Sequence, residues 1–213
     1  MLLHLVKKDF LLVKKYLPLF VILPFVMPVI IMIQVSQLLG LSAFVISVIY
    51  DVFMLYQYVV MAEMKYPKAE ALLCATPYSR STLVKARYAF LLLIFAYCCV
   101  AYNVLALIFV KIEYLTPASY LIALLISVIL FGVYAPVQYK LGFEKTKYFF
   151  IIVIMGTPFV IPFLMKANIK IDFTGLSALP MFVQYLIPIV AIIAILFISM
   201  NVSIKIYSKK ELL

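Results

Sequence analysis

One histidine, no tryptophan, five glycines and a charged fraction of 12% remove most kinds of protein from consideration for this 213-residue chain. Soluble domains carry about a quarter charged residues, so a chain this poor in charge and 68% hydrophobic is an integral membrane protein. With His4 as the single histidine, zinc-hydrolase sites, histidine-activated nucleophiles and two-metal sites lack their parts. No G-x-x-x-x-G-K-[ST] stretch occurs, which excludes a P-loop within these residues. Cys74 lies in a polar stretch and the neighbours Cys98 and Cys99 in an apolar one, an arrangement that offers neither a disulfide framework nor a metal spacing. The glycines never form G-x-x-x-G, the close-packing motif of some helix dimers. No small-x-small cleavage pattern follows the first apolar run, at Gln34-Val35-Ser36-Gln37, so the N-terminus is expected to remain on the mature chain. No catalytic residue, metal site or cofactor is assigned to the chain.

What is present is apolar length. A membrane-crossing helix needs about 20 mostly apolar residues, and six stretches qualify: Leu17 to Ile33, Leu39 to Val60, Tyr88 to Val110, Ser119 to Gln138, Tyr148 to Met165, and Phe182 to Asn201. The expected fold is therefore all-α: one polytopic membrane domain, residues 1–213, with six transmembrane helices. The basic residues then sort by side. The N-terminal segment (Lys7, Lys8, Lys14, Lys15), the second loop (Lys65, Lys68, Arg80, Lys85, Arg87), the fourth loop (Lys140, Lys145, Lys147) and the tail (Lys205, Lys209, Lys210) hold all but three of the 18 lysines and arginines. Lys111, Lys166 and Lys170 are the remainder. Because cytoplasmic loops retain Lys and Arg, both termini and loops two and four are expected in the cytoplasm. The net charge of +10 thus reads as topology signal and lipid-headgroup contact, and nucleic acid is not an expected partner. Tyr16, Tyr88, Tyr114, Tyr120, Tyr139, Tyr148 and Tyr207 lie near the expected helix ends, where amphipathic rings favour the headgroup level.

Residues 1–15 place Leu2, Leu3, Val6, Phe10 and Val13 at helical intervals, with the lysines mostly away from them. This predicts an interfacial helix on the cytoplasmic leaflet that turns into the first span. Pro18, Pro24 and Pro28 in the first span, Pro158 and Pro162 in the fifth, and Pro188 in the sixth predict kinks, since membrane helices tolerate proline when neighbours satisfy the freed backbone. The fifth span reads either as one kinked helix or as two half-helices. The longest cytoplasmic connection, residues 61–87, has structure of its own. Between Pro67 and Pro77, Lys68 to Ala75 is rich in helix formers with Ala69, Leu72 and Leu73 on one face. Thr76-Pro77-Tyr78-Ser79 reads as a turn, and Ser79 as the N-cap of a helix that carries Arg80, Lys85 and Arg87 into the third span.

Asp51 is the acidic residue well inside a predicted span, where a charge costs at least a few kcal/mol. Ser47, Asp51, Met54 and Tyr58 follow at steps of four, three and four and so share one helix face. That face reads either as the lining of a substrate pathway, together with Asn103, or as a packing surface on which Asp51 bonds Asn103 or a tyrosine hydroxyl.

Three stretches carry a family resemblance. Val6-Lys7-Lys8-Asp9-Phe10-Leu11-Leu12, followed by Glu70-Ala71-Leu72-Leu73-Cys74-Ala75-Thr76-Pro77-Tyr78-Ser79-Arg80 and Leu83-Val84-Lys85-Ala86-Arg87-Tyr88, resembles the permease subunits of ABC-2 type transporters, in particular the short six-helix bacterial family. The chain departs from that pattern at Ala75-Thr76 before the proline and at Arg87, where lysine is common. The resemblance implies that residues 68–75 form a coupling helix docked on a cytoplasmic ATP-binding subunit through Lys68, Ala69, Glu70, Leu72, Leu73, Cys74 and Arg80. Residues 1–15 would then be the connecting helix beside it. It also implies a complex of two ATPase subunits, which bind ATP and Mg, with a second permease, identical or paralogous, in a bacterial cell membrane. Family members of this size often export antimicrobial or amphipathic peptides, including cytolytic modulin-type peptides. Spans with 10 Met, 17 Phe and 16 Tyr suit an apolar or amphipathic cargo such as a peptide, lipid or drug. Two other readings stay open: an ion-coupled secondary transporter or channel using Asp51, and a membrane-embedded immunity or scaffold protein.

Overall fold

A computed structural model describes residues 2–34, 40–65, 79–112, 114–166 and 181–209. Among these residues there are seven helices and no strand. They are α1 (Leu2–Leu12), α2 (Leu17–Gln34), α3 (Leu41–Met64), α4 (Arg80–Ile108), α5 (Pro117–Leu141), α6 (Phe143–Lys166) and α7 (Met181–Ser208). Each of the six apolar stretches overlaps one of α2 to α7. By length and composition α3, α4, α5 and α7 are candidate membrane spans, and the pair α1 and α2, bent by 89° at residues 13–16, makes a fifth if taken together. Helix α6 opens on Glu144, Lys145 and Lys147 and is not among those candidates within the described residues.

Local chemistry sets the ends. Ser79 caps α4 as expected, its hydroxyl accepting from the Thr82 amide at 3.3 Å. Thr116 does the same for α5, with Pro117 at the first turn where a missing N–H is harmless. Gly142, at φ +78°, ends α5 and lets α6 start at the next residue, because glycine enters left-handed backbone without a Cβ penalty. The fourth connection is therefore a one-residue break, much shorter than the polar loop expected around Lys140 to Lys147. The second connection is shorter than 61–87 too, since α3 runs to Met64 and α4 begins at Arg80. Helix α6 runs without interruption to Lys166. The stretch 68–75 and the loop at 167–180 lie outside the described residues.

Helix α3 is the centre of the bundle. The apolar window of α3 is 78% buried and that of α7 only 17%, so α7 presents most of its apolar surface outward. Around α3 the aromatic rings interlock edge to face. Phe53 and Tyr56 meet Phe131 and Tyr134 of α5 at centroid distances of 5.0 to 6.4 Å, and Tyr134 stacks on Phe149 of α6 at 5.8 Å. Helices α5 and α7 form the most extensive pairing, over Gly132, where an added Cβ would lie 3.4 Å from Ile195.

Lipid is as apolar as the helix surfaces it surrounds, so packing and interhelical hydrogen bonds hold such bundles together. Tyr88 illustrates this, and also corrects an expectation. Because α4 starts eight residues before it, Tyr88 is not at a helix end, and its ring faces the bundle. It is buried, with its hydroxyl 2.7 Å from Ser199 Oγ and 2.9 Å from Ser203 Oγ of α7. Ser199 in turn donates to the Gly132 carbonyl of α5 at 2.7 Å. Tyr207 is buried as well, whereas Tyr114 and Tyr148 are exposed. In the turn that Pro24 interrupts, Tyr97 of α4 donates to the Val21 carbonyl at 2.6 Å.

Interhelical hydrogen bonds in membrane proteins contribute about 0.6 kcal/mol on average and up to about 1.7. Tyr88→Phe, which removes the shared hydroxyl of the α4–α5–α7 junction, is expected to lower stability by about 1 kcal/mol. Unfolding of the purified protein in mixed micelles checks this.

Candidate functional site: a half-buried ion ring at the base of the second connection

The contacts between helix ends define the two faces of the bundle. Lys8 of α1 meets Glu63 in the last turn of α3, Arg87 of α4 meets the same Glu63, and Arg80 donates to the Ser208 carbonyl at the C-terminal end of α7 at 2.8 Å. Tyr139 near the end of α5 and Tyr207 near the end of α7 have rings 5.2 Å apart. The N-terminal helix, the C-terminal ends of α3, α5 and α7 and the start of α4 therefore share one face. At the other end, Tyr102 of α4 donates to the Gly40 carbonyl at 3.4 Å, and Phe44 meets Tyr120 at the start of α5. The segments expected to be basic and cytoplasmic thus converge on the first face.

Four charges form a closed ring there. Lys8 Nζ lies 3.1 Å from Asp9 Oδ1 and donates to Glu63 Oε1 at 2.8 Å. Arg87 Nη1 lies 3.2 Å from Asp9 Oδ2, and Arg87 Nη2 pairs with Glu63 Oε2. Every charge has two neighbours of opposite sign, and the ring sums to zero. The Lys8–Glu63 contact is an aligned hydrogen bond, while Asp9 Oδ1 and Arg87 Nη1 meet their partners as ion contacts without that alignment. Asp9 is 1% exposed and Arg87 7%, so both ions are withdrawn from water. The Arg87 guanidinium also sits 5.7 Å from the centroid of the Tyr56 ring, a cation–π contact that offsets part of its desolvation.

The ring explains why α1 lies where it does. Its buried residues are Leu5, Val6 and Asp9, followed by Val13 in the corner, while Leu3 is 74% exposed. The expected apolar face, Leu2, Leu3, Val6, Phe10 and Val13, is thus rotated, because α1 packs on α3 and α4 and turns Asp9 inward to Arg87. Phe10 meets Phe90 at 4.8 Å, one turn beyond Arg87. At the corner into α2, Tyr16 and Phe20 pack on Tyr58 of α3 at 4.5 and 5.5 Å.

Of the residues expected to contact an ATPase, Lys68, Ala69, Glu70, Leu72, Leu73 and Cys74 lie outside the described residues, and Arg80 joins the start of α4 to the end of α7. The Asp51 set is brought together only in part. Ser47 and Asp51 are both buried, and Asp51 accepts a bond from the Cys98 thiol at 3.4 Å. Asn103 instead turns back to the Cys99 carbonyl of its own helix at 2.8 Å, so the partner of Asp51 is a thiol where Asn103 or a tyrosine hydroxyl was expected. Met54 and Tyr58 are partly buried, and Tyr58 is covered by the α1–α2 corner. Cys98 and Cys99 are free thiols.

Sequence reasoning overlooked Asp9 and Glu63 as members of one site. A signal existed: only 8 acidic residues accompany 18 basic ones, so each acid close to a span end is a candidate for a specific pair. Their distance in sequence hid the pairing. Breaking a buried ion pair by removing one partner costs about 3 to 5 kcal/mol, whereas an exposed pair contributes little. Arg87→Gln, which removes the buried cation that faces both Asp9 and Glu63, is expected to destabilise the protein by about 3 kcal/mol. Lys147→Ala, which breaks the exposed pair with Glu144, should leave stability unchanged. Thermal unfolding of both proteins in detergent measures the contrast.

No curated protein and no solved structure matches the chain. The sequence pattern of the family described as ABC-2 family transporter protein matches residues 4–208. That span holds every described helix but the first two residues of α1, together with the whole ion ring and the connection between α3 and α4. The chain belongs to the ABC-2 family of transporter membrane proteins.

Proposed function

We propose that the protein is the permease subunit of an ATP-driven exporter that moves an amphipathic or apolar substrate, a peptide above all, out of a bacterial cell. The observation that carries this reading is the family match over residues 4–208, in a chain whose residues contain no P-loop of their own. ATP and Mg are then bound by separate cytoplasmic subunits, two per complex, and a second permease, identical or paralogous, completes the pathway. Six spans with both termini in the cytoplasm, α1 along the inner leaflet, suit the sorting of the lysines and arginines. Residues 68–75 dock on the ATPase as a coupling helix, and closure of the two ATPases on ATP rocks the helix bundles. The face carrying Ser47, Asp51, Met54 and Tyr58, together with Asn103, lines the substrate path when α3 and α4 part within the bundle.

Two substitutions test the two ends of this scheme. Reversing Glu70 to Lys together with Leu73→Gln is expected to reduce permease-dependent stimulation of the co-purifying ATPase by at least tenfold while the permease still folds. Unchanged stimulation and assembly would count against the docking role. Asp51→Asn preserves shape and removes the charge, and is expected to leave assembly intact while lowering ATP-dependent efflux of a fluorescent amphipathic peptide from vesicles. Efflux that follows an ion gradient and continues without ATP would favour an ion-coupled transporter.

A further inference from the structure

The charges at the ends of membrane helices ordinarily stay in the headgroup region, where long side chains reach water. Asp9 and Arg87 do the opposite. They are drawn under α1 into contact with α3 and α4, at a desolvation cost that apolar residues of similar volume would avoid. What the ions provide in exchange is a register, because a shift that brought like charges together would be repulsive.

The connectivity of the ring says which register is held. Glu63 and Arg87 flank the 66–78 connection, one at the end of α3 and one in the second turn of α4, and they are bound directly to each other. Both are also bound to α1, Glu63 through Lys8 and Arg87 through Asp9. The ring thus closes the base of the connection and ties α1 to both of its flanks. Phe10 on Phe90 adds an apolar contact in the same direction, and the corner at residues 13–16, fastened to Tyr58, links α1 to α2.

We infer that Lys8, Asp9, Glu63 and Arg87 form an ionic latch that makes α1 move as one body with the ends of α3 and α4. Displacement imposed on the second connection is thereby delivered to the N-terminal helix and, round the corner, to α2. The four are positioning residues: they touch no substrate and no nucleotide, and act by holding helices. The inference rests on the proposed role of the 66–78 connection as the ATPase-coupled segment.

Removing the whole ring separates this role from mere stability, since a fully neutral set leaves no buried ion without a partner. The variant combining Lys8→Gln, Asp9→Asn, Glu63→Gln and Arg87→Gln is compared with the unaltered chain, each purified with its ATPase and reconstituted in vesicles of phosphatidylglycerol and phosphatidylethanolamine. The expected result is retained assembly with at least a fivefold loss of permease-stimulated ATP hydrolysis. Stimulation at the unaltered level in the neutral variant would overturn the latch. Hydrogen exchange on the unaltered complex reads the same property without any substitution. On addition of ATP, the amides of residues 2–12 are expected to change protection together with those of 60–64 and 80–88, and a response confined to the flanks of the connection would likewise overturn it. Should the unaltered chain neither bind nor stimulate an ATPase, the permease reading itself fails, a result distinct from either of these.

Discussion

An ion taken out of water must be met by its opposite, and in this bundle that requirement decides how the base is built. Asp9 and Arg87 are both buried, and each is met by the other and by one further ion of opposite sign, Asp9 by Lys8 and Arg87 by Glu63. Their pairing pulls α1 onto α3 and α4 instead of leaving it free along a surface. Arg87 also meets Glu63 in the last turn of α3, and its guanidinium lies near the ring of Tyr56. The N-terminal helix, the last turn of α3 and the edge of the aromatic core meet at one neutral ring of four charges.

Higher in the bundle a different constraint applies. Hydrophobic burial does not drive helices together in lipid, so specificity falls to close packing and to polar side chains that bridge helices. Tyr88, Ser199 and Ser203, the bare backbone of Gly132, and Tyr97 on the Val21 carbonyl are the bridges. Between them lies a layer of edge-to-face rings centred on Phe53, Tyr56, Phe131 and Tyr134. The ion ring lies at the end of the bundle where α3 closes and α4 begins. A permease driven from one face needs that face to be stiff, because motion absorbed in loose helix ends never reaches the spans.

Much of this architecture was legible before any coordinates. Hydrophobic length located six helices, the run Thr76-Pro77-Tyr78-Ser79 announced the N-cap of α4, and the step pattern put Ser47 and Asp51 on one buried face of α3. Periodicity, however, tells which residues share a face and not what that face meets. The inward rotation of α1 escaped notice because Leu3 and Val6 look equivalent until Arg87 is placed opposite Asp9. Tyr88 read as an interfacial ring because the hydropathy of α4 begins two turns after its backbone does. Asp51 finds a thiol where an amide or hydroxyl was expected, since the choice between Cys98 and Asn103 depends on the rotation of α4 about its axis.

By itself the sequence determined the class of the protein: apolar length forces helices in a bilayer, because only there are all backbone groups satisfied within a segment. It also determined which ends carry the positive charge and, through about thirty residues of motif, which family the chain resembles. Only the tertiary structure decided how those charges are used. Lys8 and Glu63 are separated by 55 residues, and nothing local makes one the partner of the other. Their meeting is a consequence of three helices converging at one end of a bundle, which brings the half-buried Glu63 within reach of Lys8 and Arg87.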